Sequence, residues 1–343
     1  MPDGPDALSV ALRAVSFVLL LNAAGISIFI AVFGHGLPDS VPAIARLGWR
    51  LAIGALVFVA GHHALEAARM AGEMSGVMDP AMQTMTLRSS EGAAFVLRMV
   101  GLALVAVELR WGARSGSRLN VAGAPSCGQA DAGQADAGGA RALGQADVGG
   151  GRPLARSDAA RVLTPSPGPQ RRASALGIAG AVLAVAAFTL TGHTSVSPHR
   201  PAAAALLTLH LLVVAFWVGS LWPLYVVASR EPPPIATHVI DAFSRVAAWV
   251  VPVILVAGVG LTVVLVPKWA TFRQPYGELL LAKVALFAVL MALATLNKWT
   301  FGPACASGRT RAFKRAVAVE YVLICAVLAI TAVMTTFYSP EAP

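Results

Sequence analysis

Charged residues are scarce in this sequence: they make up only 13% of its 343 residues, whereas hydrophobic residues make up 57%. So small a charged fraction, together with a mean hydropathy of +0.70, excludes an ordinary soluble domain. We therefore expect an integral membrane protein whose solvent is the lipid bilayer.

Cysteine is rare as well. The three cysteines, Cys127, Cys305 and Cys325, are too few and too scattered for a disulfide framework, and no C-x-x-C redox motif occurs. The net charge of +9 comes mainly from arginines in particular loops, where basic residues set membrane topology. No nucleic-acid partner is therefore expected.

Nucleotide-binding motifs are missing. The sequence contains no G-x-x-x-x-G-K-[ST] motif and no G-x-G-x-x-G motif after a strand, and its loops are too short to hold an ATPase. We therefore expect no enzymatic activity. Any transport would be passive, coupled to an ion or driven by a partner.

Long apolar segments are what the chain does have. A helix needs about 20 apolar residues to cross a bilayer, and turn or charge signals separate segments of this length. The predicted fold is all-α, a polytopic membrane protein with about eight transmembrane helices, at 8–33, 43–66, 91–111, 173–192, 202–228, 242–266, 277–297 and 314–337.

A segment at 112–172 divides the predicted helices. It is rich in Gly, Ala, Pro and Arg and contains the repeats GQADA, GQADA and GQADV. Such a composition cannot bury enough apolar surface to offset chain entropy, so we expect a disordered linker. The predicted organisation is a three-span unit at 1–111, the linker, and a five-span domain at 173–338.

Lysine and arginine placement predicts the orientation. Basic residues concentrate in the linker and in the loop between the last two spans, which assigns both to the cytoplasmic side. With eight spans, both termini then lie on the outer side of the membrane. The same topology places most of the histidines and a methionine-rich stretch on the outer side.

The methionine-rich stretch follows the pair His62 and His63 and contains Met70, Met74, Met78, Met82 and Met85. If the second helix continues as far as Met74, then His63, Met70 and Met74 share one face with Glu66. A turn at Gly76 and Asp79 could bring Met78, Met82 and Met85 back to that face. Thioethers and imidazoles select Cu(I). Methionine also packs adaptably in cores and at interfaces, but the polar neighbours of this stretch favour metal contact.

Two further histidines are candidate ligands. His193 ends the fourth predicted span, and His210 lies about two turns inside the fifth, within a long apolar run. An ionisable residue at such a depth suggests function. The alternative is a neutral histidine bonded to a carbonyl or hydroxyl group. Arg98 and Lys283 are similarly placed, with Glu91, Glu108 and Glu278 as potential partners.

An ordered set of motifs resembles the copper resistance protein D family of bacterial inner-membrane proteins. In the second half these are TGH, LHLLVVAFWVGSLWPL, DAFSRVA, YGELLLAKV and LNK. In the first half, MSGVMD and EGAAFVLRM are similar too. The resemblance implies copper transport across the inner membrane, with import of periplasmic copper as the direction usually given, together with a periplasmic copper-binding partner.

On that resemblance, copper, as Cu(I) or Cu(II), is the transported or bound ion. The candidate copper ligands are His62, His63, Met70, Met74, Met78, His193 and His210. The alternative function is a haem-binding electron-transfer protein, since membrane bundles with histidines on separate helices can ligate haem iron. That alternative requires two facing imidazoles, such as His63 with His210 or His193, and leaves the methionines unexplained.

Overall fold

The computed structural model describes residues 4–37, 39–122, 169–192, 198–266 and 269–338. Regular structure in these ranges is helical, with no strand, which confirms the all-α prediction. The helices are α1 (Gly4–Phe33), α2 (Val41–Ala71), α3 (Pro80–Leu87), α4 (Ser90–Ala122), α5 (Pro169–Ala186), α6 (Arg200–Arg230), α7 (Pro233–Leu265), α8 (Pro275–Leu296) and α9 (Thr310–Phe337).

Seven segments among the described residues are long and apolar enough to cross a membrane. They comprise α1, α2, α4 and α6 to α9. The fourth predicted span corresponds to a shorter apolar segment, Ser174–Leu190, in which α5 ends in a 3-10 turn at Ala187–Leu190. The chain is a multi-pass membrane protein.

Prolines mark where several helices begin. Helices α2, α6, α7 and α8 each have proline at the first or second helical position. Proline is tolerated there because its missing N–H would have no partner within the helix, and its fixed φ suits the first turn. The prolines that separate the apolar segments in the sequence therefore define helix starts.

Helix α1 lies at the centre of the bundle. It packs against α2, α5, α6 and α9, and its residues Leu20, Ala23, Ala24, Ile26 and Phe29 are almost fully buried. These side chains belong to one hydrophobic core that continues into α6, α7 and α9. The helices on either side of the predicted linker therefore share a core.

Two glycine pairs allow helices to approach closely. A Cβ built on Gly25 of α1 would lie 1.8 Å from the Ala215 carbonyl oxygen of α6, and one on Gly219 would lie 2.5 Å from Gly25 Cα. Gly101 of α4 and Gly180 of α5 make a similar contact. Small residues permit such backbone contact between membrane helices.

The helix bundle has two ends of different character. The methionine end is where α2 ends and α4 begins, with residues 72–89 between them. The basic end is where α2 begins and α6 ends. At the methionine end the Arg13 guanidinium donates to Thr336 Oγ1 at 3.0 Å, and at the basic end Ser40 N–H donates to Glu231 Oε1 at 2.9 Å.

The predicted linker is only partly described. Helix α4 continues to Ala122 and α5 begins at Pro169, so both ends of the 112–172 segment are helical. Residues 123–168, which contain the GQAD repeats, lie outside the described residues. The predicted domain division and the disorder of the linker stay predictions.

Candidate metal-binding site

The prediction that α2 continues to Met74 is wrong. The helix ends at Ala71, and Gly72 caps it with a left-handed φ of +75°, the conformation that glycine adopts without steric cost. Glu73 is extended and Met74–Met78 forms a separate 3-10 turn. His63, Glu66 and Met70 therefore share the helix, while Met74 lies beyond the break.

The segment after the break turns back onto α2. Asp79 caps α3, because its Oδ1 accepts the Ala81 N–H at 2.8 Å. At the far end of α3 the Thr86 hydroxyl donates to the Met82 carbonyl oxygen at 2.9 Å, and its oxygen lies 3.5 Å from Met70 Sδ. The end of α3 thus lies against the last turn of α2, so the first and last parts of the methionine stretch are close in space.

The thioethers of this segment are accessible. Met70 and Met74 are each 50% exposed, Met85 is 60% exposed and Met78 is 85% exposed. Exposure of this size does not fit methionines that fill a core, since such side chains would be buried. The segment offers several soft donors at the surface of the methionine end, with Met78 the most accessible.

Beneath the thioethers lie two buried imidazoles. His62 and His63 are each 8% exposed, and the Nε2 atom of each is buried without a hydrogen-bond partner among the described residues. The His62 Nε2 atom lies 3.6 Å from Glu66 Oε1. The His63 ring stacks on Phe95 of α4, with 4.1 Å between centroids and 7° between planes.

Unpartnered buried nitrogens are unusual, because a buried polar atom normally has a hydrogen-bond partner. A metal ion satisfies an imidazole lone pair in the way a donor would. The two unpartnered Nε2 atoms are therefore the feature of this region that best fits metal binding. Among the described residues, no three His, Cys, Asp or Glu side chains converge as a metal site, so any soft metal here would also need the thioethers.

Charged side chains surround the imidazoles. The Arg69 guanidinium donates to both carboxylate oxygens of Glu66, at 3.1 and 3.2 Å. Arg98 donates to Thr191 Oγ1 at 3.3 Å and lies 4.4 Å over the Phe188 ring. The positive charges of Arg13, Arg69 and Arg98 act on His62, whereas Glu66 and Glu91 act on Arg13. Carboxylates therefore partly offset the basic residues around the pair.

His210 lies apart from the pair at 62 and 63. Its Nδ1 lies 3.1 Å from the Ile254 carbonyl oxygen of α7, and its ring contacts Gly258 of the same helix. A carbonyl oxygen only accepts, so Nδ1 carries the proton of the neutral ring and Nε2 keeps its lone pair. A histidine that ligates a metal is oriented in the same way by a carbonyl group. The Lys283 charge also acts on this ring.

The structure does not bring the candidate ligands into one set. His63 packs against α4 and His210 against α7, and His193 lies outside the described residues. His62, His63 and Met70 share the last three turns of α2, and Met74 and Met78 follow the break. The site thus consists of a surface group of thioethers, a buried pair of imidazoles and a separate histidine.

Three glutamates are buried in the helix bundle, and only Glu108 among them was considered in the sequence analysis. Glu108, Glu231 and Glu320 are at most 7% exposed. The Ser27 hydroxyl donates to Glu108 Oε2 at 3.1 Å, so Glu108 is not a partner of Arg98. All three acids lie towards the basic end, while the partly buried Arg13, Arg98 and Lys283 lie within three turns of the methionine end. An acidic residue within an apolar span, such as Glu320, is recognisable from the sequence as a candidate functional residue.

Two family models match the chain. One, described as copper resistance protein D, matches residues 237–334. The other, described as copper resistance protein D-like, N-terminal domain, matches residues 1–142. No curated protein and no solved structure matches.

Together the two matches cover most of the chain, including the imidazole pair and the methionine segment. The TGH and LHLLVVAFWVGSLWPL motifs, which contain His193 and His210, lie between the two matched ranges. The described residues contain seven long apolar helices, and the chain belongs to the copper resistance protein D family of membrane proteins.

Proposed function

We propose that this protein transports copper across a bacterial inner membrane, importing it from the periplasm and so contributing to copper homeostasis or resistance. The observation that carries the proposal is the pair of buried, unpartnered Nε2 atoms of His62 and His63 below exposed thioethers. Both termini and the methionine end face the periplasm, where a copper-binding protein delivers the ion.

Capture begins at the exposed methionines. Thioethers bind Cu(I) but few other biological cations, because the ligand and the metal are both soft. Met70, Met74 and Met78 hold the ion weakly enough to release it, as a transport path requires. Copper then passes to His62 and His63, whose Nε2 atoms make no hydrogen bond among the described residues, although Glu66 Oε1 lies 3.6 Å from His62 Nε2.

His210 is the second station in this proposal. Its Nδ1–H donates to Ile254, which leaves Nε2 as the ligating atom. The adjacent Lys283 charge disfavours a cation, so copper stays at this station only briefly. His193 keeps its predicted role as a copper ligand at the mouth of the five-span domain.

The proposal is tested by copper accumulation in cells that carry Met70, Met74 and Met78 changed together to leucine. Leucine keeps the apolar volume and removes the sulfur, so we expect uptake at limiting copper to fall about tenfold, which corresponds to about 1.4 kcal/mol of binding free energy. Met99→Leu is the matched control. Met99 of α4 packs against the hydrophobic core, so this substitution should leave uptake unchanged.

Undiminished accumulation by the triple variant, at an equal amount of protein in the membrane, would refute capture by these thioethers. Equal loss in the triple variant and in Met99→Leu would show that the effect comes from packing. Copper analysis of the purified variants separates weakened binding from weakened translocation.

The haem alternative finds no supporting geometry in the described part of the chain. It needs two imidazoles that face each other at one depth, whereas the His63 ring lies flat on Phe95 and the His210 ring lies on α7. We expect the purified protein to bind copper and to show no Soret absorption. A Soret band that His63→Leu abolishes would favour the haem protein instead.

A further inference from the structure

A cavity of about 300 Å³ lies between α6, α7, α8 and α9. It is near the basic end, remote from the methionine end and from the imidazole pair. Its lining is mostly apolar, but Asn297 and Glu320 form a polar patch in its wall. Both side chains are deeply buried, at 9% and 3% exposure.

The Asn297 amide is only half satisfied. Its Nδ2 donates to Glu320 Oε1, while its Oδ1 is buried and has no hydrogen-bond partner among the described residues. A buried amide oxygen without a donor costs free energy. The missing partner must be electropositive, because the Asn297 oxygen and the Glu320 carboxylate are both acceptors.

The backbone around Asn297 is irregular. Helix α8 ends at Leu296, and residues Asn297–Phe301 form a π-helical turn. Single π turns within helical segments are rare and frequent at functional sites. Asn297 is the first residue of this turn, and its side chain meets Glu320 of α9.

A proline adds a further acceptor. Pro252 lies inside α7 and has no N–H to donate to the carbonyl group of Ala248, four residues earlier. Ala248 and Pro252 both line the cavity. The wall therefore contains a carboxylate, an unpartnered amide oxygen and a carbonyl oxygen that lacks its helical donor.

Fixed cations do not neutralise this wall. Among the described residues no basic side chain forms an ion pair with Glu320. Lys298 lines the cavity but is exposed, and its ammonium lies 5.5 Å over the Trp299 ring. Lys314 of α9 lies 5.7 Å over the Tyr225 ring. A buried carboxylate without a cation is costly unless an ion or a proton joins it.

We infer that this cavity is a binding site for a small monovalent cation, either a proton or a sodium ion. One carboxylate balances one positive charge, and oxygen donors suit hard cations rather than Cu(I). The single thioether in the wall, Met291, is too little for the soft metal. Sites of this kind near broken membrane helices hold coupling ions.

The use of this cation to drive copper movement rests on the proposed function. The sequence has no nucleotide motif, so transport would be passive, coupled to an ion or driven by a partner, and a cation site in this cavity would make it ion-coupled. The site itself can be tested without copper.

The first test compares the purified wild-type protein with Glu320→Gln and the matched control Glu108→Gln. Both changes remove one buried carboxylate at nearly constant volume, but Glu108 bonds to Ser27 and does not line the cavity. For sodium, the probe is sodium chloride against choline chloride at equal ionic strength. We expect sodium to raise the melting temperature of wild type and Glu108→Gln by a few degrees, and not that of Glu320→Gln.

For a proton, the probe is the infrared carboxyl band titrated between about pH 5 and about pH 9, where an ordinary glutamate stays ionised. The Glu108 carboxyl group is buried too, so Glu108→Gln identifies its contribution to the band. We expect a titrating component that is present in wild type and in Glu108→Gln and absent from Glu320→Gln. Either the sodium result or the proton result supports the site and identifies the ion. If neither signal depends on Glu320, the inference is overturned. Asn297→Leu, which removes only the amide, should weaken whichever signal is found.

The second test uses proteoliposomes with an imposed sodium or pH gradient. We expect Glu320→Gln to abolish the stimulation of copper uptake by the gradient while copper binding at the methionine end is kept. If the wild type binds the cation but takes up no copper, the transport proposal fails and the cation site stands. If copper uptake is normal in Glu320→Gln under the gradient, the coupling role is refuted.

Discussion

At the residue scale, the His210 hydrogen bond decides which nitrogen can bind a metal. Because the Ile254 carbonyl accepts from Nδ1, the lone pair of the neutral ring lies at Nε2. An imidazole inside an apolar helix then has a fixed ring orientation and one available ligand atom. The same bond anchors α6 to α7, so the side chain has a structural role as well.

The first prediction separates these two roles. We expect His210→Ala to reduce copper uptake more than any single methionine change, because no other described imidazole lies against α7. His210→Asn can still donate to Ile254 and should fold normally, yet it should lose uptake to the same extent. Uptake is measured with both variants at equal amounts in the membrane.

Recovery of uptake in His210→Asn would show that only the bond to Ile254 matters. A loss in His210→Ala no larger than that in Met78→Leu would remove His210 from the path. Both outcomes are read from the same accumulation experiment.

The chemistry of the candidate site was predictable from residue types, but its arrangement was not. Soft donors at 62–78 follow directly from the sequence. That the Nε2 atoms of both His62 and His63 lack partners depends on Phe95 and on other neighbours from distant segments. The position of Met74 depends on a backbone angle at Gly72, which the spacing of side chains does not report.

At the scale of elements, Gly72 terminates α2 and sets the direction of the methionine segment. Its φ of +75° is in the left-handed region, which costs a residue with a Cβ about 1–2 kcal/mol. We expect Gly72→Ala to lower the free energy of unfolding by that amount and to weaken copper capture. Gly36→Ala is the control, because a Cβ there meets nothing within 4 Å.

Thermal unfolding of the two variants in the same detergent checks this prediction. A stability of Gly72→Ala equal to that of Gly36→Ala would show that the left-handed turn is dispensable. Normal copper capture with reduced stability would separate the turn from the site.

The close crossing of α1 and α6 leads to a second prediction about the helices. We expect Gly219→Ala to lower stability by about 1–3 kcal/mol, the usual cost of overpacking, because the added Cβ meets backbone atoms that cannot move aside. Gly54→Ala is the matched control, since a Cβ on Gly54 would contact only Leu19, at 3.4 Å. A Gly219→Ala protein as stable as Gly54→Ala would contradict the close crossing.

Long helices were predictable because apolar length alone specifies them, and every predicted span overlaps an observed helix. The short elements were not. Helix α3 lacks a long apolar run, and its return to Met70 depends on the Asp79 cap and on the Thr86 hydroxyl. The π turn at Asn297–Phe301 has no compositional signal, so the cavity beside it was missed.

At the scale of the whole molecule, α1 joins the helices on both sides of residues 123–168. The sequence indicates a three-span unit and a five-span domain because a polar, repetitive segment divides the apolar runs. Contacts between glycine faces, as at Gly25 and Gly219, cannot be inferred from composition. The shared core therefore became evident only from the structure.

A split chain tests the shared core. We expect residues 1–122 and 169–343, expressed as two polypeptides, to co-purify in a mild detergent, because α1 and α4 bury their faces against α5, α6 and α9. Gly25→Leu in the first fragment should abolish the association, and Gly36→Leu should not. Independent purification of the two unchanged fragments would contradict the packing of α1 against α6.

The separation of buried charges along the bundle has an electrical consequence. Partly buried arginines and a lysine lie towards one end, and Glu108, Glu231 and Glu320 towards the other. In a low-dielectric interior these charges interact over longer distances than in water. When the glutamates are ionised, they lower the potential energy of a positive ion at their end of the bundle relative to the opposite end, so a cation inside the protein resides longest near the glutamates.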